Sequence, residues 1–327
     1  MRTVTPRAAT RPGQEPLVLE RRGAFFVNDR HAARYGGGTI TVGQMYVQYE
    51  IPADASRRDH PLVLVPGGCH TGAAYDETPD GREGWRSHFL REGFPVYQVE
   101  WAGRGGSGFD PSVIHRAREE RAPDLLPRFL HLSHEEIWPA FRFGPEPGVA
   151  YPGLRFPLEA LDHYHAQLLP NTEAVLPEGE QATTDGLIAL LERIGGGIVI
   201  GHSRAGNVML PAAVRRPDLF RALIELEPIG CRGLYRDADL AALSQVPFLS
   251  VFGDYLEGTM WQPFADECRE LVEKLTALGG TASHLPLAEI GIRGNSHMLM
   301  MEDNSGDVAS LLVRWMDDAV PSLNQTL

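Results

Sequence analysis

Apolar and polar residues alternate along Gly23–Val27 (GAFFV) and Ile40–Glu50 (ITVGQMYVQYE), a period of two that predicts antiparallel strands. The pattern then changes. Pro61–Val65 (PLVLV) is a continuous apolar run that stops at Pro66-Gly67-Gly68, as expected of a buried strand ending in a tight turn. Residues 82–92 place Trp85, Phe89 and Leu90 on one helical face, and Val96–Trp101 is a strand running into the glycine cluster at 103–108. Beyond residue 182 the two periods alternate. Helices are predicted over 184–194, 205–216, 263–278 and 306–319, and strands at Gly197–Ile200, Ala222–Leu226 and Pro247–Phe252, with a weak strand near 283–287. Strand–helix alternation at this spacing implies an α/β fold, a mostly parallel central sheet flanked by helices.

Residues 111–182 break that rhythm. They are rich in Pro, His and aromatics, with short helical pieces and no strong strand. They are expected to form a cap inserted over the carboxyl ends of the strands, where open α/β sheets place their sites. The organisation expected is a flexible tail over 1–22, a core over 23–110 and 183–327, and the cap over 111–182.

Composition excludes several classes. Of the 327 residues, 43% are hydrophobic and 22% charged, which argues against bulk disorder. A net charge of −13 repels phosphate backbones and anionic membrane surfaces, so nucleic acid and membrane are not expected partners. No apolar run is long enough for a transmembrane helix. Cys69, Cys231 and Cys268 are too few and too scattered to suggest a disulfide framework or a zinc site. The basic N-terminus lacks an apolar segment, so a cytoplasmic location is expected unless a leader was removed before this numbering.

The densest chemistry lies in IVIGHSRAGN, which sets Ser203 between a buried strand and an amphipathic helix. A nucleophile on such a sharp turn needs small neighbours, and Gly201, Ala205 and Gly206 supply them in a G-x-S-x-A variant of G-x-S-x-G. The alternative is a serine that only caps the helix. His297, in RGNSHMLM after the last weak strand, is the candidate base, because the order Ser, acid, His matches that arrangement. Two carboxylates compete as the acid: Glu227 in ELEP after one strand, and Asp254 in VFGDY after the next. Counting strands favours Asp254. Oxyanion donors are expected from the backbone N–H groups of Cys69, in the Gly-rich turn after PLVLV, and of Arg204.

Together these segments resemble the α/β-hydrolase superfamily, and within it the bacterial esterase 713-like carboxylesterases. The likeness rests on GAFFV, GQMYV, GGCHTG, ETPDGREGW at 77–85, AGRGGSG, GHSRAG, ELEP and GNSHM, spread from about residue 23 to 320. It implies an α/β-hydrolase fold and a serine carboxylic-ester hydrolase acting through an acyl-enzyme. It places nucleophile, base and acid on Ser203, His297 and Glu227, and oxyanion donors on Cys69 and Arg204. Where relatives have two adjacent cysteines this chain has Cys69-His70, so no vicinal disulfide can form. No cofactor or metal is expected. The partners expected are a small-molecule ester and, at most, a second copy of the chain.

Other signals compete. Gly103, Gly105 and Gly108 stand in G-x-G-x-x-G register, the fingerprint of an NAD(P)-dependent oxidoreductase, but FDPS follows and Glu119 and Glu120 end no apolar strand. A non-catalytic binding module on the same fold is the other alternative. His131, His134, His163 and His165 read as polar cap residues rather than metal ligands. Phe129, Trp138, Phe141 and Phe143 are candidates to line a substrate pocket. Asp80 and Arg82 either pair in their loop or cap the following helix.

Overall fold

Continuous apolar runs belong in strands covered on both faces, and they form the middle of one sheet in the computed structural model, which describes residues 15–53, 57–172, 179–233 and 236–320. The strands are β1 (Leu19–Val27), β2 (Arg30–Ala33), β3 (Thr39–Val42), β4 (Met45–Pro52), β5 (Leu62–Val65), β6 (Val96–Val99), β7 (Gly197–His202), β8 (Phe220–Leu226), β9 (Phe248–Phe252) and β10 (Ala282–Pro286). The helices are α1 (Trp85–Arg91), α2 (Ser112–Glu119), α3 (His134–Ala140), α4 (Leu161–His165), α5 (Gly179–Ile194), α6 (Gly206–Arg215), α7 (Asp237–Leu243), α8 (Gln262–Ala277) and α9 (Ser305–Ala319). Eight strands form the main sheet in the order β1-β4-β6-β5-β7-β8-β9-β10. β4 pairs antiparallel with β1 and β6, and the remaining pairs are parallel.

Alternate strand residues face two cores. Val63, Val199 and Leu223 pack with Leu187 and Leu190 of α5, Met209 of α6 and Leu271 of α8 on one face. Leu64, Ile198, Ile224 and Leu249 pack with Trp85 and Phe89 of α1 and Leu312 and Met316 of α9 on the other. The chain leaves β5 for β6 on one side and returns to β7 on the other. The carboxyl ends of β5 and β7 therefore flank a topological switch point, where such sheets open a crevice. No described helix is long and apolar enough to cross a membrane.

Several elements differ from the sequence expectation. β1 begins at Leu19, inside the expected tail, because residues 19–22 pair with Glu50–Pro52 of β4. The single strand expected over Ile40–Glu50 is two. β3 pairs with β2 in a separate hairpin, and the chain turns at Gly43-Gln44 before β4. The helix expected over 82–92 starts only at Trp85, because Gly84 is pinned by its N–H to the Asp76 carbonyl at 3.1 Å and lies against the Tyr75 carbonyl, where a Cβ would sit 2.3 Å away. Within 111–182 the described residues contribute α2, α3, α4 and the first turn of α5 but no strand of the main sheet.

The cysteine expectation is also corrected. Cys231 and Cys268 form a disulfide, with Cα atoms 5.3 Å apart and a sequence separation of 37. Both are buried. Their separation in sequence hid a proximity that only the packing of α8 against the turn at Cys231–Gly233 creates. Closing a loop of this length typically stabilises by about 2–4 kcal/mol through the unfolded state. Reductant is therefore expected to lower the urea denaturation midpoint by an amount worth about that much. An unchanged midpoint with Cys231 and Cys268 demonstrably reduced would contradict it.

Candidate active site

The turn after β7 shows why its residues are small. Ser203 has φ of 55°, a left-handed conformation costly for a non-glycine residue and found where function over-determines the backbone. A Cβ on Gly201 would lie 2.0 Å from Met209 Sδ and 2.8 Å from Ala205 Cβ, and one on Gly206 would lie 2.1 Å from the Ile229 carbonyl oxygen. Alanine at 205 fits without displacing the helix, and the G-x-S-x-A-G spelling follows from packing of α6 on the sheet. The serine carbonyl accepts from Ile229 N–H at 3.1 Å, tying the turn to the loop after β8.

Glu227 opens that loop with φ of 51° and is fully buried. Its Oε2 stands 3.4 Å from Nδ1 of His297, and its Oε1 accepts from Gly253 N–H at 2.5 Å. Asp254 does not reach the histidine ring. Its Oδ2 accepts from the N–H groups of Gly294 and Asn295 at 2.5 and 3.1 Å, shaping the turn that carries His297. Strand counting pointed to Asp254, whereas the geometry pairs Glu227 with the imidazole.

His297 is fully buried and held on several sides. Its N–H donates to the Phe141 carbonyl at 3.0 Å, and its ring lies 3.9 Å from Trp261 and 5.1 Å from Phe141 between centroids. His202, immediately before Ser203, has its ring 4.5 Å away and its Nε2 2.9 Å from the His297 carbonyl. The Nε2 of His297 is buried and has no hydrogen-bond partner among the described residues. Burial holds this imidazole well below its ordinary value, and the nearby Arg142 and His70 push the same way. His202 is lowered chiefly by burial, and His70 is lowered to about 4 for the same reason. Burial thus disfavours the charged form of all three histidines.

Behind His297 the turn is fastened to the α1 side. Ser296 N–H and Oγ both donate to Oε1 of Glu302, whose carboxyl burial pushes up to about 8. Arg82 donates to the Glu302 and Met301 carbonyls at 2.8 and 3.1 Å while pairing with Asp80 at 2.7 Å. The segment ETPDGR therefore acts as a clamp on the turn bearing the histidine, and Asp80 and Arg82 pair rather than cap a helix.

Cys69 is buried with φ of 61°, and its backbone N–H donates to the side-chain oxygen of Asn171 at 2.6 Å. The expected oxyanion donor is thus held by a side chain in this structure. Asn171 belongs to the insertion, and Arg104 reaches the same oxygen at 3.2 Å while donating to the Gly67 and His70 carbonyls. The Arg204 backbone follows Ser203 directly, and its side chain pairs with Glu180 at 2.6 Å.

Of the aromatics expected to line a pocket, Phe141 alone meets the histidine. Phe143 is fully buried against Phe156 at 4.2 Å, Trp138 donates to the Val149 carbonyl at 3.1 Å, and Phe129 lies 36% exposed at the surface. Those three hold packing and surface positions here, and periodicity within an irregular segment does not indicate which face meets the site. Gly105 is explained by close packing, because a Cβ there would lie 2.5 Å from Oε2 of Glu100. The loop then enters a single turn at Gly105–Ser107 and reaches α2 only at Ser112, leaving no helix N-terminus for a pyrophosphate directly after the glycines. His134 and His165 stack at 3.6 Å, and among the described residues no group of three or more His, Cys, Asp or Glu side chains could hold a metal ion.

Asn171, Trp261 and Arg142 were missed in the sequence. Arg142 alone left a trace there, as a single charge flanked by two phenylalanines in AFRFG, which demands a buried partner.

Comparison with known proteins agrees with this picture. No protein-family model matches the chain. A fungal protein described as probable secreted lipase phiG, from Fungal sp. (strain ATCC 74256), is 27% identical over 354 residues, spanning 92% of this chain and 95% of its own length. A bacterial esterase solved at atomic resolution is 32% identical, with a TM-score of 0.88, covering 95% of this chain and 99% of that one. With the sheet order, the strained serine turn and nearly end-to-end similarity in agreement, this chain belongs to the α/β-hydrolase family of esterases, enzymes of carboxylic ester hydrolysis.

Proposed function

We propose that this esterase works through a Ser203–His297–Glu227 triad on small-molecule esters. The observation that carries the reading is the buried His297, with Nδ1 3.4 Å from Glu227, Nε2 without a hydrogen-bond partner among the described residues, and its ring 4.5 Å from that of His202, which precedes Ser203. Ser203 Oγ attacks the ester carbonyl carbon as its proton passes to Nε2 of His297, and Glu227 stabilises the imidazolium. The carbonyl π electrons move onto oxygen, which is bound by the backbone N–H groups of Cys69 and Arg204. For Cys69 the substrate oxygen takes the place held by the Asn171 side chain. The C–O bond to the alcohol breaks, the alcohol leaves with the proton from His297, and water repeats the sequence on the acyl-serine. The buried Cys231–Cys268 bridge favours maturation in an oxidising compartment over the cytoplasm, in line with the fungal relative described as secreted.

A fluorophosphonate probe tests this reading. One equivalent is expected to attach to the peptide containing Ser203, with loss of turnover on p-nitrophenyl esters. Labelling elsewhere, or full turnover after labelling, would overturn it. A series of such esters with increasing acyl length then reports the acyl preference.

A further inference from the structure

Arg142 follows α3 in the inserted segment and adopts φ of 58°, unusual for a side chain of its size. It is fully buried. Its Nη2 lies 2.6 Å from Oε1 of Glu227, with both side chains sealed from solvent, and its Nε donates to the Asp254 carbonyl at 2.8 Å. Nη1 is buried with no hydrogen-bond partner among the described residues. A side chain kept only for packing would not leave a donor unsatisfied, since apolar groups of similar volume fill such positions at least as well. The same stretch of backbone also holds the base, because Phe141 accepts from His297 N–H at 3.0 Å. Ala140 accepts from the indole of Trp261, which lies on the imidazole.

We propose that Arg142 is a positioning residue for the reaction: it fixes the orientation of the Glu227 side chain, one oxygen bound by the guanidinium and Gly253 N–H, so that the other faces Nδ1 of His297. The inserted segment thereby completes the triad of the core. This rests on the assignment of Ser203, His297 and Glu227 above. The groups facing the guanidinium are Glu227, the Asp254 carbonyl, the Trp261 ring at 5.8 Å, and at longer range Glu302 and His297. His70 also pushes the His297 imidazole down.

The sign of the pH effect follows from these neighbours. The active form needs His297 neutral. Without Arg142, His297 loses a repelling charge and takes up a proton at higher pH. That change moves the acid limb of kcat/KM upward.

Arg142→Met is expected to lower kcat about 10- to 100-fold with KM altered less than about threefold, and to move the acid limb up by about 1–3 pH units. Arg142→Lys, which keeps the charge but not the fork, should restore the limb more than the plateau. A limb that stays in place while activity falls equally at every pH would mean a structural role and overturn the inference. Should Arg142→Met fail to fold, Glu227→Gln/Arg142→Met removes both buried charges. It should turn over within about threefold of Glu227→Gln alone, because Arg142 acts through Glu227. A further tenfold loss would overturn the inference. A Glu227→Gln variant as active as wild type would instead sink the triad assignment itself, a result read without touching Arg142.

Discussion

Ser203→Ala is expected to lower kcat for a p-nitrophenyl ester by about a million-fold, roughly 8 kcal/mol in activation free energy. The magnitude follows from what the serine does. In the proposed mechanism it supplies the bond-forming atom, and without it His297 has nothing to deprotonate. Residual turnover should remain about 10³–10⁴-fold above the water reaction, because oxyanion donors and binding persist. Stability should change little, since one hydroxyl on an 8% exposed side chain is removed and the left-handed backbone is as strained for alanine as for serine. The measurement is steady-state turnover of purified variant after titration with the fluorophosphonate to exclude wild-type carry-over. Turnover within tenfold of wild type would remove Ser203 as nucleophile.

Glu227→Gln should cost about 10⁴-fold in kcat, roughly 5 kcal/mol, because the amide neither enforces the working tautomer of His297 nor stabilises its imidazolium. The structure adds a second effect. Arg142 would remain fully buried beside a neutral group, and leaving one member of a buried ion pair alone costs about 3–5 kcal/mol of stability. The variant should therefore denature at clearly lower urea, which a melt separates from the kinetic loss. Asp254→Asn is the control. Its remaining side-chain oxygen still accepts from Gly294 and Asn295, so turnover should fall less than about tenfold. If Asp254→Asn proved the more damaging of the two, the acid would belong after β9 and not after β8.

The sequence by itself determined the parallel sheet, because strands buried on both faces read as near-continuous apolar runs, as β5, β7 up to His202 and β9 apart from Ser250 do. It also marked Ser203 and His297 as candidates, since small residues around a strand-to-helix turn and a polar turn before the last helix leave local marks. It missed the split between β3 and β4, because a run of alternating residues reads the same whether or not it bends at Gly43. What only the tertiary structure decided is how distant segments meet. The approach of Glu227 to His297, the Cys231–Cys268 bridge, Asn171 on the Cys69 N–H and Arg142 against Glu227 each join residues more than 30 positions apart in sequence. Periodicity reports which face of one element is buried. The partner of a buried charge is set by where the chain returns after leaving the sheet, and the irregular segment that supplies Asn171 and Arg142 has no period from which its path could be read.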